Sequence, residues 1–239
     1  MTLLLLALAC KPDLPTFVAN YNDDPTGGAI APVVPPEPQY DEAQVSEVLA
    51  KLAAEDAAAK AEALKAFPTV RVDEVRGKKY CSPKATPKFV NSRTSIHAVV
   101  VTDMADKVST VLMQWGYVAD NWLFFDRATV AVGDFRGTVV FSNTVRDNGS
   151  GEIWEYANLI FPARGLYLPG MSIDLAVAEK MTDPGKVTIR FEGTKHYDDY
   201  ELKGWEKASI KAGLVMVKPV PTRDDAAAAL AVRPPEATP

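Results

Sequence analysis

Between Lys186 and Glu192, Val187, Ile189 and Phe191 alternate with Thr188, Arg190 and Glu192. Side chains of an extended strand point alternately to its two faces, so a period of two buries one face and leaves the other wet. The same period recurs at Val111, Met113, Trp115 and Tyr117. Ser95 to Thr102 is a further apolar run, broken by His97. Trp122 to Phe125 and Thr129 to Val132 read as another pair of strands. Gly137 to Phe141 continues after a turn at Gly133-Asp134-Phe135-Arg136-Gly137. Asp147-Asn148-Gly149-Ser150-Gly151 is a strong turn signal ahead of a strand from Ile153 to Ile160. Successive strands joined by short turns predict an antiparallel meander or sandwich.

Two helices accompany these strands. Pro169-Gly170-Met171-Ser172 opens the first, with Ser172 as N-cap and Ile173, Ala176 and Val177 inward. The second runs from Leu202 to Val217, with Trp205, Ala208, Ser209, Ala212 and Met216 on one face and Lys203, Lys207 and Lys211 on another. Strands first and helices late predict an α+β fold, an antiparallel sheet or sandwich with two packed helices.

This domain spans residues 69–218, about 150 residues, and a chain of that size buries roughly 70% of its unfolded surface. Its flanks are poorer core material. Residues 11–40 carry seven prolines, from Pro12 to Pro38, without periodicity, and read as a semi-rigid tether. Residues 219–239 read as a disordered Ala/Pro-rich tail. Between tether and domain, residues 41–67 predict a long helix capped by Asp41, with Gln44 as the reciprocal capping partner and Val45, Val48, Leu49 and Leu52 at helical spacing. Beyond Leu52 the stripe gives way to alanine, which favours helix without a strong packing face. This stretch reads as a solvated spacer. One good heptad falls short of the three or four that a coiled coil needs.

Leu3 to Ala9 form an unbroken apolar run that ends at Cys10. Ala7-Leu8-Ala9-Cys10 resembles the close of a bacterial lipoprotein signal, where small residues precede a cysteine that becomes lipidated. The family pattern prefers Leu at the position of Ala7 and a small residue at that of Leu8. Nine residues precede Cys10 and none is basic, whereas signal peptides run to about 15–30 residues with a basic start. The resemblance implies a signal-like segment over 1–10, lipidation of Cys10, and membrane anchoring in the bacterial cell envelope, at the outer membrane or periplasmic face. The alternatives are a cytoplasmic protein with an apolar N-terminus or a virion component. Asn121-Trp122-Leu123-Phe124-Phe125, Ser150-Gly151-Glu152-Ile153-Trp154-Glu155, and Arg190-Phe191-Glu192-Gly193 with Tyr197-Asp198-Asp199 are similar to a pattern in uncharacterised bacterial envelope proteins; this resemblance implies no activity.

The formal net charge is −5 with Lys and Arg dispersed. Such a chain gains little from phosphate counterion release, so nucleic acid is not an expected partner. No eighteen-residue apolar run is present to predict a membrane helix. Two cysteines, Cys10 and Cys81, make no disulfide framework.

No Gly-rich phosphate loop, Gly-x-Ser-x-Gly, His-Glu-x-x-His or Cys-x-x-Cys occurs. Cys81 with His97 or His196 offers a thiol and a base, yet Tyr80-Cys81-Ser82-Pro83 matches no nucleophile signature. His97 inside an apolar strand reads as a satisfied core or pocket histidine. His196, Asp198, Asp199 and Glu201 form the densest acidic patch, with no EF-hand spacing. Neither a metal nor another cofactor is expected. Trp115, Tyr117, Trp122, Trp154 and Tyr156 crowd the strands; a row of them facing solvent would be a platform for a sugar or a protein partner in the envelope. The expected function is a non-enzymatic binding or structural domain on an anchored lipoprotein. The alternatives are a structural subunit of a phage particle or surface assembly, using residues 41–67 for oligomer contacts, and a hydrolase with a Cys/His or acidic site.

Overall fold

A computed structural model of the chain describes residues 40–86, 93–148, 153–163 and 171–232. Cys10, the Pro-rich tether, the Gly149-Ser150-Gly151 turn and Pro169-Gly170 lie outside the described residues.

The chain runs α1 (Glu42–Leu64), β1 (Thr69–Asp73), β2 (Lys78–Ser82), β3 (Ser95–Asp103), β4 (Val108–Ala119), β5 (Arg127–Val132), β6 (Phe135–Val140), β7 (Val145–Asp147), β8 (Ile153–Pro162), α2 (Met171–Lys180), β9 (Thr188–Glu192), β10 (Tyr197–Glu201), α3 (Gly204–Val217) and α4 (Arg223–Val232). The strands form two sheets, β1-β2-β3-β4-β8-β7 and β10-β9-β5-β6. Every pairing is antiparallel. This is the α+β class that the strand periodicity predicts.

The core lies between the sheets. Ile96, Ala98, Val100, Val111, Met113, Trp115, Tyr117, Ala157, Leu159 and Phe161 line the inner face of the larger sheet. Ala128, Val130, Val139, Ile189 and Phe191 answer from the smaller one. Phe125 and Phe191 meet edge to face at 5.1 Å, and Trp115 meets Phe141 at 5.4 Å. Such ring pairs add about 0.5–1.5 kcal/mol each beyond the area they bury.

Helix α3 completes this core by an unusual route. Among the described residues β2 pairs with β3 only from Val100 to Asp103, which leaves the edge of β3 nearer Ser95 without a strand neighbour there. There α3 supplies acceptors in place of a strand. Ile96 N donates to Glu206 Oε1 at 2.9 Å, and Ala98 N donates to Ser209 Oγ at 3.2 Å. Gly213 allows this approach, because a Cβ at that position would stand 2.7 Å from Ala98 Cβ. The buried face of α3 is therefore Glu206, Ser209, Ile210, Gly213, Met216 and Val217; it keeps Ser209 and Met216 of the expected stripe but is rotated away from Trp205 and Ala212, half-buried, and Ala208, exposed. The rotation follows from the backbone donors of β3, which need partners once they leave water.

Four further expectations are corrected. Residues 41–67 are not a free spacer: α1, capped by Asp41 on Ala43 N, packs against α3 and α4, buries Val45 and leads to buried Phe67. Its apolar stripe is thus engaged within the fold. The tail expected to be disordered contains α4, whose Ala226 is fully buried. Ser172 lies inside α2 rather than capping it, and Ile173 is 60% exposed and Ala176 exposed, while Val177, Ala178 and Met181 are buried. Trp122 to Phe125 is not a strand, for a reason that lies in Glu155.

Candidate functional site

Glu155 sits on the inward face of β8, fully buried, in line with Ala157, Leu159 and Phe161. A buried carboxylate must find donors, and residues 123–125 wrap around this one. Oε1 accepts from Leu123 N at 2.8 Å and Phe124 N at 2.7 Å; Oε2 accepts from Phe125 N at 3.1 Å. Presenting three consecutive amides to one carboxylate bends the backbone, and Phe124 takes φ +56°, where non-glycine residues are uncommon. That curvature replaces the expected strand. Arg146 on β7 closes the cluster: Nε donates to Glu155 Oε2 at 3.0 Å, Nη2 donates to the Phe125 carbonyl, and the guanidinium lies over the Phe124 ring.

This lock fixes the register of β8. With Glu155 inward, Trp154 and Tyr156 must face outward, since a one-residue slip would exchange the faces. The two rings stack on each other, centroids 5.2 Å apart and planes 16° apart. Opposite them across the β4–β8 ladder lie Val118 and Gly116. Next in the same outward row come the amides of Gln114 and Asn158, directly paired, and then Leu112 and Ile160, the latter 59% exposed. Val145 of β7 stands beside Tyr156 and is also exposed. The outer face of β4, β8 and β7 is therefore a shallow surface of two stacked aromatics, two amides and an apolar border. Among the described residues its outward row from Trp154 to Ile160 and Val118 to Leu112 carries no acid, base or thiol. It offers ring faces and amide hydrogen bonds.

The five candidate aromatics, Trp115, Tyr117, Trp122, Trp154 and Tyr156, thus divide. Trp154 and Tyr156 join this outer face. Trp115 and Tyr117 are core residues, buried because their strand turns them inward. Tyr117 OH donates to Asp198 Oδ2 at 3.2 Å, and burial, then the charge of Asp198, pushes its hydroxyl up to about 12. Trp122 is half-buried in the loop and stacks on Phe124.

The structure does not assemble the hydrolase constellations. Cys81 lies on the inner side, level with Val100, while His97 alternates to the opposite face of β3. Burial pushes the Cys81 thiol up, away from the reactive thiolate. His196 is exposed in the β9–β10 turn. The acidic patch is dispersed among partners: Asp199 pairs with Arg190 at 2.8 Å through two bonds, Glu201 meets Lys186, and Asp198 takes Tyr117. Among the described residues no group of three acidic, His or Cys side chains is placed to hold a metal ion. Asp103 accepts from Ala105 N and Lys107 N and so shapes the β3–β4 turn.

His97 departs from the expectation of a satisfied histidine. It is 3% exposed, rests against Trp205 at 5.8 Å, and neither ring nitrogen has a hydrogen-bond partner among the described residues. Burial lowers its pKa to about 4. Glu155, Arg146 and Glu206 escaped the sequence reading. Glu155 was traceable as the one charge in phase with Ala157 and Leu159. Glu206 was not, because its demand arises from a strand edge over a hundred residues away.

Among the described residues no helix is long and apolar enough to cross a membrane. No protein-family model, curated protein or solved structure matches the chain.

Proposed function

We propose that the chain is a non-enzymatic lipoprotein of the bacterial envelope, acylated at Cys10, whose β-rich domain binds an envelope glycan on the outer face of β4 and β8. The observation that carries the binding reading is the stacked Trp154–Tyr156 pair beside the Gln114 and Asn158 amides. Aromatic faces accept the apolar faces of sugar rings, and flanking amides both donate to and accept from hydroxyls. Half-buried aromatics on a rigid strand bind with little ordering cost. The anchor reading rests on the Leu3–Ala9 run and Cys10.

Two readouts test this. The purified chain should co-sediment with insoluble cell-wall glycan, and Trp154→Ala with Tyr156→Ala should abolish sedimentation while leaving the unfolding midpoint near that of the wild type. Equal sedimentation of wild type and double variant would remove the platform. Palmitate labelling in cells, compared between wild type and Cys10→Ala, tests the anchor; equal absence of label would remove it.

A further inference from the structure

Every open sheet has edges, and an unprotected edge is a template for another strand. The four edges here differ. β7 is three residues long. β10 carries Asp198, Asp199 and Glu201 in its five residues. β6 carries Arg136 in its outward row, and α2 packs on its inner face, where Val177 reaches Gly137. β1 remains: five residues, Thr-Val-Arg-Val-Asp, hydrogen-bonded among the described residues to β2 on one side only. Its side chains are exposed on both faces, with Val70 at 54%, Val72 at 47% and Val75, in the following turn, at 98%. No lysine, proline or bulge blunts it along Thr69–Asp73.

We infer that this edge pairs antiparallel with β1 of a second copy of the chain, joining the two six-stranded sheets across a two-fold axis at Val72. Sequence selects the occupant and the register. A two-fold normal to the sheet sets residues of like face opposite each other, so the centre falls on one residue. Centring on Arg71 would oppose Arg71 to its own copy, and like charges directly opposite are destabilising. Centring on Val72 opposes Val72 to Val72 and Arg71 to Asp73, twice by symmetry. The edge is then complementary to itself in both charge and apolar contact. Arg71 lies over the Tyr80 ring on that face, a contact the guanidinium exchanges for Asp73 of the second copy on pairing. Asp73 meets Arg76 only through a long, exposed contact of 3.9 Å, besides its bond to Arg76 N. A five-residue seam is small, so the dimer is concentration-dependent rather than permanent. The outward aromatic row on β8 lies four strands away in the sheet order, so this pairing is independent of ligand binding there.

Sedimentation velocity over a concentration series of the full chain tests it. The wild type shifts from monomer to dimer as concentration rises. Arg71→Asp alone and Asp73→Arg alone each weaken dimerisation about tenfold or more, because two attractive cross-strand pairs become two repulsive ones. The combined Arg71→Asp, Asp73→Arg chain, with the pairs reversed, regains it. Circular dichroism and an unchanged unfolding midpoint confirm that each variant is folded. A wild type that stays monomeric throughout, single variants that dimerise like the wild type, or a combined variant that remains as weak as the single ones would each overturn the inference. Should the fold of Asp73→Arg suffer from its lost bond to Arg76 N, Val72→Pro, which removes no bond to a charged partner, supplies the second disruption: a dimer as strong as wild type would again overturn it.

Discussion

Replacing Glu155 by Gln should be among the most costly single-atom changes in this protein. The carboxylate is fully buried and accepts four bonds, from three amides and one guanidinium. An amide of the same shape keeps an acceptor on one side only. Its NH2 then faces Phe125 N and Arg146 Nε, donor against donor. Removing one partner of a buried, hydrogen-bonded ion pair costs about 3–5 kcal/mol. For a domain of this size that corresponds to a fall of roughly 6–20 °C in Tm. Arg146→Gln should cost less, about 1–2 kcal/mol, because its side chain is one-third exposed and Glu155 keeps its three amide donors. Urea unfolding of both variants and the double variant measures the singles and their coupling. Hydrogen exchange at Leu123, Phe124 and Phe125 should accelerate in Glu155→Gln and stay slow in Arg146→Gln. A loss below about 1 kcal/mol in Glu155→Gln, or a larger loss in Arg146→Gln, would refute the view that the carboxylate organises this loop.

Three more outcomes follow from particular contacts. The folded pKa of His97 is about 4 against about 6.5 in an unfolded chain, so the unfolded state takes the proton first. Its contribution is complete above roughly pH 6.5 and is lost as pH falls toward 4, by about 3 kcal/mol in all. His97→Leu should remove that part of the acid destabilisation, read as the difference between urea midpoints at pH 7 and pH 4; an unaltered difference would count against it. Gly193→Ala should destabilise by about 1–3 kcal/mol or more, since its Cβ would fall 1.8 Å from the Leu123 carbonyl oxygen; a wild-type midpoint in thermal unfolding would contradict this. Ser209→Ala leaves Ala98 N without its acceptor and should cost about 1–3 kcal/mol, with faster exchange at Ala98 as the local sign and unchanged exchange as the disproof.

Much of the strand architecture was written in a period of two. Val111 to Tyr117 and Val187 to Phe191 face the core as their alternation requires, because a sheet with one buried face leaves no other register. The helices were less legible. The Trp205–Met216 stripe placed Ser209 and Met216 on the buried face of α3, but an unpaired donor on β3 drew Glu206 inward and left Ala208 exposed. Alanine in α1 gave helix without showing a packing face, and alanine in 223–232 among prolines gave no helix signal at all, so the packing of α1 against α3 and α4 could not be read locally. The loop at Leu123–Phe125 looked like a strand by composition and bends because a distant carboxylate needs its amides. Of the candidate site, the residue types were visible and their sides were not: parity along β8 separates Trp154 and Tyr156 from Glu155, and parity along β4 turns Trp115 and Tyr117 inward.

Chemical-shift mapping with a soluble cell-wall oligosaccharide tests the binding surface at the level of single residues. Perturbations should cluster on the indole of Trp154, the ring of Tyr156 and the side-chain amides of Gln114 and Asn158, and leave the β9–β10 hairpin silent. A spectrum unchanged at saturating sugar, or shifts confined to the hairpin, would contradict a glycan-binding face on β4 and β8.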